Sequence, residues 1–128
     1  MQVDADNYNF ELICLVLDFG SGTKAIKIGR ENHISGGTIF LGKGTVRNRL
    51  LEFLSLDQIR KEIVIMICRK NIALKALERL NEEFQFEIAH HGIAFSIPLC
   101  NVFGTSESKS DDININEERG VDSPMYKA

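Results

Sequence analysis

The hydrophobic positions of this chain follow two patterns that alternate along the sequence. Four segments are unbroken apolar runs or rich in β-forming residues, as is typical of strands in a buried sheet. These segments span residues 10–17, 37–41, 62–68 and 92–97. Helical spacing of apolar residues predicts a helix over 72–84, on a face made by Ala73, Leu77, Leu80 and Phe84. Shorter helical stripes predict helices over residues 23–33 and 47–56.

The order of these elements indicates a fold class. It is β-α-β-(α)-β-α-β, and right-handed crossovers turn that order into a ferredoxin-like βαββαβ sandwich. This is an α+β fold whose antiparallel sheet carries two helices on one face. The first and third strands are apolar on both sides, so the other face of the sheet also requires burial. Self-association around a symmetry axis would provide it.

Charge and composition divide the chain into three parts. Of its 128 residues 44% are hydrophobic, which suits one globular domain. The net charge of −3 comes entirely from residues 105–128, which hold six acidic and three basic residues. We expect a leader over 1–9, one domain over 10–104 and an acidic, disordered tail over 105–128. The absence of a basic face argues against nucleic-acid binding.

The N-terminus and the cysteines bear on where the protein works. Residues 1–9 are polar and lack the basic segment of a secretory signal, and the longest apolar run is too short to cross a membrane. Cys14, Cys68 and Cys100 form no C-x-x-C pair, and each lies in or beside an apolar segment. We therefore expect reduced core thiols, a cytoplasmic location and no membrane insertion.

A glycine-rich stretch offers the first candidate chemistry. Residues 37–43 fit the spacing G-x-x-x-x-G-K of a phosphate-binding loop, but Gly44 stands where that motif needs Ser or Thr. The four intervening residues are β-formers and predict a strand instead. Gly42, Lys43 and Gly44 therefore have two interpretations: a backbone and ammonium contact to an anion, or a strand-ending turn with a solvated lysine.

Four features carry a resemblance to a known family: the order of elements, the stretch 37–44, Lys-Glu-Ile-Val at 61–64 and GIAFSIPL at 92–99. In these features, over roughly residues 10–104, the chain resembles the PII family of nitrogen regulatory proteins. The resemblance implies a homotrimer that acts in signal transduction and nitrogen regulation and not as an enzyme. Such proteins bind adenine nucleotides (ATP, ADP or AMP) in clefts between subunits. They control a transporter, enzyme or regulator through the segment between the second and third strands.

The resemblance also implies which residues act. The effector-binding positions are Gly42, Lys43, Gly44, His90, His91 and Gly92. The partner-binding segment is 45–61, with Arg47, Arg49, Leu50 and Phe53 as its contact residues. One departure is notable: Ile93 stands where the family has a lysine for the phosphates. Lys43 is the nearest candidate to supply that missing cation.

Three other interpretations remain open. The first is a CutA-type trimer of divalent-cation tolerance, which shares the fold, and the second is a structural trimer without a ligand. The third is a small enzyme, for which the sequence offers no nucleophile with a matching base. We expect no metal, because adjacent strand residues such as His90 and His91 face opposite ways and cannot chelate one ion within one subunit.

Overall fold

The computed structural model describes residues 8–45, 49–54 and 58–105. Most of the predicted leader, nearly all of the predicted tail and Arg47 of the predicted partner-binding segment lie outside these residues. The described part contains four strands and three helices in the predicted order. They are β1 (Phe10–Asp18), α1 (Gly22–Glu31), β2 (Thr38–Thr45), α2 (Arg49–Phe53), β3 (Gln58–Arg69), α3 (Lys70–Phe84) and β4 (Ile93–Leu99).

Two strands are longer than predicted. β2 continues through the glycine stretch to Thr45, and β3 begins at Gln58, four residues before its predicted start. The reason is that the two extensions pair with each other, from Leu41 opposite Glu62 to Thr45 opposite Gln58. Cross-strand hydrogen bonds therefore keep this stretch in a strand, although its glycines have little β propensity. The turn interpretation of Gly42–Gly44 is wrong.

The sheet has the strand order β2-β3-β1-β4, and every pair is antiparallel. This confirms the predicted ferredoxin-like βαββαβ fold. β2 and β4 are the two edge strands. Pro98 lies within β4, where an edge strand tolerates its missing N–H.

One face of the sheet, the covered face, packs against α1 and α3. Alternate residues of β1 and β3 point to this side and are buried. The helices meet them with alanines and with the larger side chains Ile28 and Leu80. The resulting core comprises Ile13, Leu15, Leu17, Val64, Met66 and Cys68 from the sheet, with Ala25, Ile28, Ile34, Ala73, Ala76 and Leu80.

The opposite face, the open face, is apolar and has no described element over it. Its members alternate with the core residues, and direct pairing places them side by side across all four strands. Phe95 in β4 is 42% exposed and Phe40 in β2 is 47% exposed. The open face comprises Leu12, Cys14, Val16, Phe40, Ile63, Ile65, Ile67, Ile93, Phe95 and Ile97. A bare second face was predicted, and it is confirmed within one protomer.

No helix among the described residues is long and apolar enough to cross a membrane.

Candidate functional site

The glycines of β2 make room for side chains of β3. Gly42 and Gly44 lie on the open-face side, opposite Lys61 and Ile59. A Cβ at Gly44 would lie 3.2 Å from carbon atoms of the Lys61 side chain. One at Gly42 would lie 3.3 Å from Ile63 Cδ1. The aliphatic part of Lys61 thus occupies the space that side chains on β2 would fill.

Lys61 and Lys43 lie on opposite sides of the sheet. Lys61 Nζ donates to Asp18 Oδ1 at 2.8 Å, and these two residues are the last pair between β1 and β3. Lys43 is exposed and lies directly opposite Arg60, on the side of the sheet that carries the helices. The predicted trio Gly42, Lys43 and Gly44 therefore offers its glycines to one side of the edge strand and its ammonium to the other.

A buried carboxylate holds the start of α1, and sequence reasoning missed its role. Glu62 on β3 accepts a hydrogen bond from the Gly22 backbone N–H at 2.6 Å. This is the first amide of the helix, and negative charge is favourable there because of the helix dipole. Ser21, the N-cap residue, makes no side-chain cap of its own. The available signal was an acidic residue in an apolar strand together with glycine at a helix start.

The turn before β4 contains the second half of the predicted effector site. His90 has φ of 70° and Gly92 has φ of 115°. A Cβ at Gly92 would lie 2.3 Å from the Val16 carbonyl oxygen, so only glycine fits. His91 Nδ1 lies 3.0 Å from the Phe84 carbonyl oxygen, at the C-terminal end of α3. Both histidines are exposed, and His91 lies against the end of a helix.

His91 also lines a groove beside the helices. The groove has a volume of about 190 Å³ and is lined by Leu17, Asp18, Ser21, Glu83, Phe84 and His91. A hydrogen bond and ion pair with Lys24 lower the pKa of the Glu83 carboxyl. Both acidic groups of the groove are therefore already paired, Glu83 with Lys24 and Asp18 with Lys61. Of the six predicted effector residues, the groove includes His91 alone.

The two halves of the predicted site do not meet within one protomer. Gly42–Gly44 lie on the edge strand β2, whereas His90–Gly92 lead into the opposite edge strand β4. Three strand spacings separate these edges, which is roughly 14 Å. Both halves nevertheless lie toward the same end of the sheet, because Ile93, Val16, Ile63 and Phe40 form one row across it. Within one protomer, two strands of the sheet therefore lie between the halves.

The described part of the predicted partner-binding segment includes a short helix with exposed apolar side chains. Of its named residues, Arg49, Leu50 and Phe53 lie on α2, where Leu50 is 65% and Phe53 is 76% exposed. These two side chains are therefore not packed on the sheet of their own protomer. The connection between β2 and β3 instead presents apolar side chains outward.

The three cysteines lie in different environments. Cys68 is buried and Cys14 is half-buried on the open face, where burial raises the pKa of its thiol. Cys100, just after β4, is exposed, so the prediction of a core position is wrong there. In the ranges that the structure describes, no three His, Cys, Asp or Glu side chains are grouped to hold a metal ion.

The chain matches no protein-family model and no curated protein. Solved structures do match its fold. PII from Arabidopsis thaliana, bound to citrate, superposes with a TM-score of 0.61 at 12% identity over 77% of this chain and 82% of that one. The divalent ion tolerance protein CutA1 from Ehrlichia chaffeensis gives 0.56 at 12% identity, over 76% and 87% of the two chains.

A third similar structure is CPII from Thiomonas intermedia, bound to ADP, AMP and acetate. It gives a TM-score of 0.52 at 19% identity, over 73% of this chain and 91% of that one. At such identities the likeness shows the fold alone. The chain therefore has the ferredoxin-like fold of the PII and CutA1 structures.

Proposed function

We propose that the protein is a PII-like regulator that acts in the cytoplasm as a homotrimer. It binds a small anionic effector, an adenine nucleotide, in clefts between subunits. The effector then changes how the segment 45–61 docks on a partner protein. The observation that carries this proposal is the placement of the two halves of the site, Gly42–Gly44 and His90–Gly92, on opposite edges toward one end of the sheet.

The open face supports the trimer. It is a continuous apolar surface across four strands, and isolated proteins seldom leave such a surface exposed. A ring of three copies would bring these faces together around the axis. A cyclic interface joins two different surfaces, and we propose that the β2 edge of one subunit faces the β4 edge of the next. The two half-sites would then form one cleft.

The chemistry of the half-sites and the similar structures support an anionic ligand. Lys43 supplies an exposed ammonium beside Gly42 and Gly44 on the edge strand. The Thiomonas intermedia CPII structure contains ADP, AMP and acetate, and the Arabidopsis thaliana PII structure contains citrate. All four of these ligands are anions. Because Ile93 offers no cation, we assign to Lys43 the contact that a lysine there would have made.

The exposed part of α2 supports the signalling role. Leu50 and Phe53 are apolar side chains that no other described element buries. The helix connects β2 with β3, and β2 carries Gly42–Gly44. An effector bound at these glycines would therefore alter the base of the segment that meets the partner.

Calorimetry with the full chain tests the effector. ATP, ADP, AMP and adenosine are titrated separately, and thermal unfolding is followed with each. We expect saturable binding of the nucleotides and a raised unfolding midpoint, since a ligand that binds the folded state stabilises it by mass action. If neither method detects any of the three nucleotides, the proposed function is wrong.

Substitution of Lys43 tests its role. Lys43→Ala should weaken nucleotide binding about tenfold or more, because charge-assisted hydrogen bonds to phosphate are strong. Lys75→Ala is the matched control, since Lys75 is also an exposed lysine but lies on α3. If the two variants bind ATP with equal affinity, Lys43 does not contact the nucleotide and is an ordinary surface lysine.

The likeness to CutA1 gives a second candidate, a trimer of divalent-cation tolerance. Titration with Cu²⁺ separates the two functions. Binding of copper without binding of nucleotide would favour this second candidate.

A further inference from the structure

A row of two cations and an aromatic ring crosses the sheet next to Gly42 and Gly44. Lys43 on β2 lies directly opposite Arg60 on β3. Arg60 in turn lies against Phe19, the residue that follows β1, with its guanidinium carbon 4.0 Å from the ring centroid. All three side chains are exposed, on the side of the sheet that carries the helices. The row therefore forms a surface that a ligand can reach.

Two positive charges directly opposite each other on neighbouring strands repel. Elsewhere in the described part of the chain, Lys24, Lys61 and Arg79 are each paired with a carboxylate. Within the described ranges no carboxylate pairs with Lys43 or Arg60. The two acidic residues described on the neighbouring strands have other partners, since Asp18 pairs with Lys61 and Glu62 caps α1. Among the residues that the structure describes, Lys43 and Arg60 are thus adjacent cations with no carboxylate partner.

Phe19 orders Arg60 without occupying its hydrogen-bond donors. A guanidinium over an aromatic ring is held through its flat face by cation–π attraction. The N–H donors lie in the guanidinium plane and stay available at its rim. This arrangement suits an oxyanion, because a guanidinium binds two phosphate oxygens at once and the lysine adds a point charge beside it.

We infer that Lys43 and Arg60 form a two-cation clamp for the phosphate groups of the effector, with Arg60 ordered by Phe19. The inference rests on the proposed function, because it specifies how an anionic effector is held beside Gly42–Gly44, on the side of the sheet that Lys43 faces. It adds Arg60 and Phe19 to the site. It also specifies the ligand. A diphosphate or triphosphate can contact both cations and should bind more tightly than a monophosphate.

Calorimetry on the full chain tests the clamp, with inorganic pyrophosphate, inorganic phosphate and ATP as separate probes. In the wild type, pyrophosphate should bind at least about tenfold more tightly than phosphate. Arg60→Gln should weaken pyrophosphate and ATP binding about tenfold or more. Arg60→Lys should give an intermediate loss, because it keeps the positive charge but loses the paired N–H donors of the guanidinium. Phe19→Leu, which keeps an apolar side chain, should weaken both by a few-fold.

Arg79→Gln is the matched control, because it removes one arginine charge from the exposed surface of α3. It should leave both affinities unchanged. Light scattering on every variant must give the wild-type mass, so that a lost assembly is not taken for a lost contact.

The outcomes separate this inference from the proposed function. If ATP binds and Arg60→Gln binds it equally well, the clamp is wrong and the proposed function stands. If pyrophosphate binds through Arg60 but no nucleotide does, the clamp stands and the nucleotide effector is wrong. If wild type binds neither pyrophosphate nor ATP, both are overturned.

Discussion

The two faces of the sheet are built from the same strands and differ in what covers them. On the covered face, Leu15 and Val64 are fully buried under the helices. On the open face, their neighbours Val16 and Ile65 are equally apolar but only partly shielded. Because strand residues alternate between faces, each unbroken apolar run serves both. One face holds the protomer together, and the other is available for assembly.

The difference also bears on where polar chemistry is possible. The covered face has one buried acidic side chain among the described residues, Glu62, and it is engaged with the start of α1. The exposed cations Lys43 and Arg60 are near the end of the β2–β3 pair. These cations thus lie at the margin of the sheet, while both of its faces are apolar in their centres.

The largest effect should come from opening the covered face. Leu15→Ala removes a fully buried side chain from the core and should lower the free energy of unfolding by about 2–5 kcal/mol. Leu12→Ala is the matched control, because Leu12 is the same residue type in β1 but lies on the open face. Denaturant titration at two protein concentrations measures both variants.

The two variants should also differ in their dependence on concentration. The loss in Leu15→Ala should be present at every protein concentration, because the cavity forms within one protomer. The loss in Leu12→Ala should depend on concentration, since it weakens an interface between copies. Equal, concentration-independent losses would remove the distinction between the two faces.

The second prediction concerns assembly alone. Ile65→Asp places a charge in the middle of the open face and should weaken self-association by at least about a hundredfold, because an unpaired carboxylate would be buried there. Light scattering should then report the mass of a monomer, with circular dichroism still showing folded protein. Leu74→Asp is the control, since Leu74 is exposed on α3, away from the sheet. A wild-type chain that is monomeric at micromolar concentration would refute the open face as an interface.

The order of elements and the bare second face were predictable from the sequence. Periodicity separates the 72–84 helix from the 62–68 strand, and apolar residues on both sides of β1 indicate that both faces need cover. Local patterns could not give the extent of β2 and β3. Gly42 and Gly44 are strand residues because β3 pairs with them, and a partner distant in sequence leaves no trace in the local pattern.

The site was predictable only as separate pieces. Gly42–Gly44 and His90–Gly92 could be named from motif resemblance, but their separation on opposite edges depends on the strand order. The contact of Arg60 with Phe19 and the cap that Glu62 makes on Gly22 join positions about 40 residues apart. No spacing rule links such residues, because their proximity arises from the antiparallel pairing of β1 with β3.

The smallest predicted effect concerns how closely the start of α1 packs against Glu62 on the covered face. A Cβ at Gly22 would lie 2.7 Å from Glu62 Oε1 and 2.9 Å from Ile39 Cδ1, so Gly22→Ala must displace the carboxylate that caps α1. We expect a loss of about 1–3 kcal/mol in the free energy of unfolding, measured by denaturant titration. Gly42→Ala is the control, because its Cβ would face the open side and meet only the flexible tip of Ile63, at 3.3 Å. It should change the same free energy by less than about 0.5 kcal/mol. If the two substitutions cost the same, the Glu62 cap does not constrain the covered face, and the contrast between the two faces would rest on their apolar residues alone.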